Sequence, residues 1–173
     1  MPALIALAAS VGLLAVLDTW LFVGPLAELL PGLVWISFIA WGCHFHSGGG
    51  VKGSTTAILG MSFGALVGLA AIVLFQGPIA GLGDLAAPVA VGLGAAVICL
   101  ASAIPLLSTV PASVYGFASV AGATFLVSDG PTLEPTEAIF PTIVSVVIGA
   151  AFGFVSEKLA NALTKKAPAA DAA

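Results

Sequence analysis

Both histidines of the chain fall in one short stretch, Trp41 to Gly53, reading WGCHFHSGGGVKG. It also holds Cys43, three consecutive glycines and Lys52, and it could serve three kinds of chemistry. Metal binding is the first. Two histidines at i and i+2 point to different sides of a helix, whereas helical zinc pairs use i and i+4. No carboxylate is near in sequence, and Cys43 and Cys99 are too far apart for a zinc signature. No metal and no cofactor is expected. Phosphate binding is the second. A nucleotide loop needs Ser or Thr directly after its lysine, but Lys52 is followed by Gly53. Covalent catalysis is the third. The chain has no G-x-S-x-G, and no Ser-His-Asp set suggests itself, so an enzyme is not expected and no residue is assigned as catalytic. Two readings of His44 and His46 stand. They face a watery vestibule, donating, accepting or titrating there, or they are interfacial side chains bonded to a loop backbone. Ser54, Thr55 and Thr56 read as the N-cap region of the helix that follows. Lys52 reads as a topology anchor, or as an attractor of anionic solute at the inner mouth.

The elements that must carry this stretch are membrane helices. The 173 residues are 60% hydrophobic and 7% charged, where a soluble domain has about a quarter charged. Mean hydropathy is +1.21. About six apolar runs follow one another: Ala3 to Val23, Gly32 to His46, Ser54 to Phe75, Ala86 to Leu107, Pro111 to Val127 and Ala138 to Ala160. The second and fifth are short for a crossing of about 20 residues. The first lacks the positive leading region of a signal peptide, so it reads as a retained helix. With the N-terminus inside, Lys52, Lys158, Lys165 and Lys166 all fall inside, as the positive-inside rule expects. Asp18 with Glu28, Asp84, Asp129, Glu134 and Glu137 then fall in the outer connections. No charge sits at a span centre, since Asp18 and Glu157 lie near span ends, so a carboxylate relay is not expected. There is no arginine and no basic face, which excludes nucleic acid as a partner. One transmembrane domain over 1–160 and a disordered cytoplasmic tail over 161–173 complete the division.

The ends of the second and fifth runs can be aligned. WGCHFHSGG and AGATFLVSDG match Gly42, Phe45 and Ser47 to Gly122, Phe125 and Ser128, with one residue inserted. The next helices also match, FGALVG (63–68) against IGAAFG (148–153). Halves of about 1–80 and 81–160, with three spans each, would enter the membrane in opposite senses, as in transporters with inverted repeats. The expected fold is an all-α polytopic membrane protein of three plus three helices. Gly60, Gly64 and Gly68, and Gly149 with Gly153, recur every four residues and read as close-packing faces. Gly92 with Ala96 and Gly116 with Ala112 extend that pattern.

A membrane run ending in an aromatic, then GGVKG (Gly49 to Gly53), then VPASVYGFASVAGATF (Val110 to Phe125) resembles the bacterial inner-membrane family called domain of unknown function 1097. The resemblance covers roughly residues 5 to 160. It implies a small multi-spanning protein of the inner membrane and supplies no activity or functional residue.

The function expected is a channel or transporter for a small polar uncharged solute such as urea, ammonia or a short amide. Its path would run past Gly42, His44, Phe45, His46, Ser47, Gly48, Gly122, Thr124 and Phe125, in a homo-oligomer within the lipid bilayer. The alternative is a non-transporting accessory or assembly subunit that binds another membrane protein through its glycine faces.

Overall fold

The computed structural model describes residues 1–24, 27, 29, 32–126 and 134–164. Among these, six α-helices follow in order: α1 Ala3–Val23, α2 Val34–His46, α3 Gly50–Gln76, α4 Ala86–Ala101, α5 Val110–Phe125 and α6 Pro135–Leu163. Short 3-10 segments at Ala80–Leu85 and Pro105–Leu107 flank α4. Four stretches are long and apolar enough to cross a membrane: α1, α3, α6 and the unit Ala80–Ala101. Helix α2 has 13 residues and α5 has 16, about 20 and 24 Å of rise, short of a hydrocarbon core of about 30 Å. The exposed surface is rich in large apolar side chains on α1, α3 and α4, which is what lipid contact requires. The chain is an integral membrane protein.

Several boundaries differ from the sequence expectation. The fourth run ends as a helix at Ala101, not Leu107, because the chain turns over Ser102 to Ile104 before Pro105. The third helix begins at Gly50, ahead of the expected Ser54 cap. The sixth starts on Pro135 with a capping box between Glu134 and Glu137, and runs through Pro141. Ser128, Asp129 and Glu28 lie outside the described residues, as do Lys165, Lys166 and the rest of the tail from 165 on.

Packing follows the small residues. In lipid the apolar surface itself gives helices little reason to associate, so close backbone approach and interhelical hydrogen bonds hold the bundle. Helix α3 packs chiefly on α5, α2 on α6, and α3 crosses α6. Helix α1 lies against α6, and α4 against α3. A methyl group at Gly64 would overlap the Ser113 carbonyl of α5, and one at Gly149 would overlap the Ser37 carbonyl of α2. Gly60 faces Ala112, and Gly116 faces the Met61 carbonyl. Gly92, by contrast, has open space around it and packs against nothing. The two outer helices bury one stripe each, in steps of four residues on α4 (Ala86, Ala90, Gly94 and Ile98) and of four or eight on α1 (Ala6, Ser10, Asp18 and Phe22).

The connections sort to two ends. Met1 donates its terminal amine to the Leu163 carbonyl (3.0 Å), and Gly50 N–H donates to Glu157 (2.6 Å). A cleft of about 330 Å³ joins Lys52, Thr55 and Thr56 to Pro105, Ser108 and Thr109. So the N-terminus, the α2–α3 turn, the α4–α5 connection and the end of α6 share one end. The rings of Phe75 and Phe125 meet at the other (6.1 Å between centroids). Helix α3 separates the ends by its 27 residues, about 40 Å.

Candidate functional site: a polar seam along α2

The turn after α2 is built by glycine. Gly48, Gly49 and Gly50 have φ of +94°, +69° and +59°, a region that side chains with a Cβ rarely adopt. This run reverses the chain at once, so α3 starts at Gly50. No side chain of its own caps that helix. Its first amide is satisfied from α6, by Glu157 Oε2 (2.6 Å). A carboxylate there also meets the positive end of the helix dipole.

The same Glu157 oxygen lies 3.1 Å from His44 Nε2, and His44 Nδ1 lies 2.9 Å from Ser54 Oγ. Nε2–H donates to Glu157, the Nδ1–Ser54 bond takes its direction from the tautomer, and Ser54 Oγ also lies 3.4 Å from the Ala150 carbonyl of α6, to which it can donate. His44 is fully buried, while Glu157 keeps a partly exposed side chain. The sequence suggested no serine–histidine–carboxylate set and no carboxylate near the histidines; the fold brings all three into line, from α3, α2 and α6. The order is that of a nucleophile, a base and an orienting acid. A Cβ at Gly153 would stand 2.8 Å from the His44 side chain, and one at Gly53 would overlap the His44 carbonyl. The backbones of α3 and α6 therefore pack close against this histidine. What this arrangement does chemically is to tie three helix ends together.

The polar contacts continue along α2 towards the other end. Trp41 Nε1 donates to Ser156 Oγ (3.0 Å). Ser37 Oγ donates to Asp18 Oδ1 (3.0 Å). The free amide of Leu33 donates to Ser145 Oγ (2.7 Å). Asp18 corrects the sequence reading most. It does not sit in an outer connection: it lies within α1 at 0% exposure, with Oδ2 lacking any partner among the described residues. A fully buried ionisable residue inside a membrane span is uncommon and marks function by default.

The other expected path residues do not join this seam. Gly42 and Gly48 are exposed, with nothing near the position a Cβ would take. His46 is exposed and meets Tyr115 edge-on, with ring centroids 6.0 Å apart. Phe45 packs edge-to-face on His44, and Ser47 Oγ lies 3.8 Å from Cys43 Sγ. Gly122 presses on the Trp35 ring. Thr124 Oγ1 donates back to the Val120 carbonyl of its own helix (2.9 Å), as such residues do in apolar helices. Phe125 is half exposed beside Phe75. The two groups of residues therefore lie at opposite ends of the bundle. Reasoning from sequence marks Ser37 and Ser145, with Ser62, Ser102, Ser113, Ser119 and Thr124, as polar lining, but does not join them to Asp18, Trp41, Ser156 and Glu157. The available signal was Asp18 itself, a lone acid inside an apolar run.

A family model described as "Protein of unknown function (DUF1097)" matches residues 8–161. The chain belongs to this family. The match takes in α2 to α5, most of α1 and α6, and the whole seam from Asp18 to Glu157. No curated protein and no solved structure is matched by the chain.

Proposed function

We propose that this DUF1097 protein is a channel or transporter for a small polar uncharged solute, in the class of urea, ammonia or a short amide. Its frame is a three-plus-three inverted repeat of α1–α3 and α4–α6, with both termini on the cytoplasmic side of a bacterial inner membrane. One observation carries the reading: the helix pairings come in twos. The pairing of α3 with α5 is answered by that of α6 with α2, and the pairing of α1 with α6 by that of α4 with α3. Individual contacts agree. Gly64 on Ser113 answers Gly149 on Ser37, and Gly68 on Val120 answers Gly153 on His44. Both sets step seven residues along the short helix and four along the long one. This is the exchange expected of a pseudo-two-fold axis in the membrane plane, a plan shared by many secondary transporters. The register it implies pairs Gly122 with His46, one helical turn from the sequence match with Gly42.

In this frame the α2–α6 seam at Ser145, Ser37, Trp41 and His44 is closed by packing in this structure, and the path opens along it when the two helices part, not past Gly42. A homo-oligomer is part of the proposal, with the apolar outer faces of α3 and α4 free for a second copy. Purified protein in liposomes should pass one or more solutes of a small-amide and ammonia panel faster than empty vesicles. Ser37→Val should slow that flux, and Gly42→Leu should leave it unchanged. Rates equal to empty vesicles across the panel would remove the transport reading.

The second reading, an accessory or assembly subunit, is favoured by how tightly the glycine faces close. Where backbone meets backbone at Gly64 and Gly149 there is no opening. A partner co-purifying in fixed ratio, with no flux, is the result that reading requires.

A further inference from the structure

We propose that Asp18 is a reversible proton-binding site inside the membrane, whose carboxyl carries the proton that a transport cycle would use. Its use in transport rests on the transporter reading above; proton binding itself does not. The argument starts from what surrounds the side chain. Asp18 is fully buried, Ser37 Oγ is its hydrogen-bond partner at 3.0 Å, and Oδ2 is unpartnered among the described residues. An ionised carboxyl in such a place needs a cation or several donors, and it has one hydroxyl.

Among the described residues no counter-charge faces it. Helices α2 and α6 pack against α1. On α2 the titratable groups are Cys43, His44 and His46; the nearer two, Cys43 and His44, lie about two turns beyond Ser37, and His44 is engaged with Glu157 and Ser54. On α6 they are Glu137, Glu157 and Lys158. Glu157 and Lys158 lie more than two turns from Gly149, which faces Ser37, and Lys158 sits over the Phe154 ring. Glu137 lies about three turns from Gly149 on the other side. On α1 itself the terminal amine of Met1 is at the opposite end, bonded to Leu163.

The ligand class follows from the donor set. Ser37 is held by backbone contact with Gly149, one turn from the Ser145–Leu33 bond. Gly32 lies against both Phe22 and Ser145, one turn further along α1. A metal cation needs several oxygen ligands, and among the described residues only Ser37 Oγ joins the carboxyl, which suits a proton. Asp18 lies five residues from the end of α1, about 7 Å along the helix. The other half of the molecule sharpens the point. Ser113, which faces Gly64 as Ser37 faces Gly149, has an unpartnered hydroxyl, and the buried residues of α4 include no acid. One half holds the carboxyl and the other holds none.

The test uses the full chain in liposomes and the apolar reagent dicyclohexylcarbodiimide. A carboxylic acid adds across its C=N bond: the carboxyl oxygen bonds to carbon, the acid proton moves to nitrogen, and no group leaves. Only the protonated acid reacts in an apolar site. Peptide mapping over a pH series should find adduct on the Asp18 peptide that fades as pH rises. Asp18→Asn, which keeps an acceptor for Ser37, should lose the adduct while remaining folded by circular dichroism. Ser37→Ala should keep it and shift the pH at which it fades. An unlabelled Asp18 at every pH, in protein whose exposed Glu137 reacts with a water-soluble carbodiimide, would overturn the proposal. Labelling without solute flux would uphold the proton site and remove the transport reading. Flux without labelling would do the reverse.

Discussion

His44 makes its two ring hydrogen bonds to different helices, with Glu157 on α6 and Ser54 on α3. Its contribution is therefore positional. Removing the ring leaves a partly buried carboxylate with one donor fewer and opens space between three backbones. His44→Ala should lower stability by about 2 to 4 kcal/mol, through lost charge-assisted bonds and an unfilled cavity. Glu157→Gln keeps the shape and an acceptor for Gly50 and should cost less, about 1 kcal/mol. Thermal unfolding in mild detergent reads both. Equal effects of the two variants would argue that the Gly50 contact, and not the imidazole, holds the corner. Such pairings could not be read from sequence. His44 and Glu157 are 113 positions apart, and Ser54, which looked like a cap, turns away from its own backbone to the imidazole because the glycine turn starts α3 one turn early.

Elements were more legible than contacts. Apolar length located all six helices, and the shortness of α2 and α5 was plain in the sequence. Where the fourth helix stops was not, because Ser102 to Leu107, SAIPLL, is apolar enough to read on. The depth of Asp18 was not legible either. An acid five residues from a helix end reads as interfacial, and only the neighbouring helices bury it. Glycine spacing located close-packing faces, but spacing does not separate Gly149, pressed on Ser37, from Gly42 or Gly92, which face open space. The difference should be measurable. Gly149→Leu must push α6 off the α2 backbone and should destabilise by more than the roughly 1 to 3 kcal/mol of ordinary overpacking. Gly42→Leu should change stability by less than about 0.5 kcal/mol. Unfolding of the two variants side by side in the same detergent is the check, and similar losses would mean that the α2–α6 contact is looser than drawn.

For the whole molecule, the lysines among the described residues lie at one end. Lys52, Lys158 and the N-terminus share one end, and Asp84 follows α3 at the other, where α6 begins with Glu134 and Glu137. The positive-inside rule then gives an orientation that can be tested on its own. In a chain with Cys43→Ser and Cys99→Ser, a cysteine at Lys52 should resist an impermeant maleimide added to intact cells and react after lysis. A cysteine at Asp84 should react in both. The reversed pattern would invert the proposed topology and, with it, the side to which Asp18 is nearest.

The short α2 also bears on how the protein is made. Leu33, Trp41 and His44 each find their partner on α6, 112, 115 and 113 positions later, and the first amide of α3 waits for Glu157 as well. During synthesis none of these acceptors exists until the last helix leaves the ribosome. A 13-residue helix with unmet donors has little reason to stay at its final depth in lipid. Insertion of α2 should therefore be provisional, with α1 to α5 held in a loose arrangement, and α6 should fix the depth of the second helix in one late step. A chain cut short before residue 145 would lose its last helix and the anchor of its second with it.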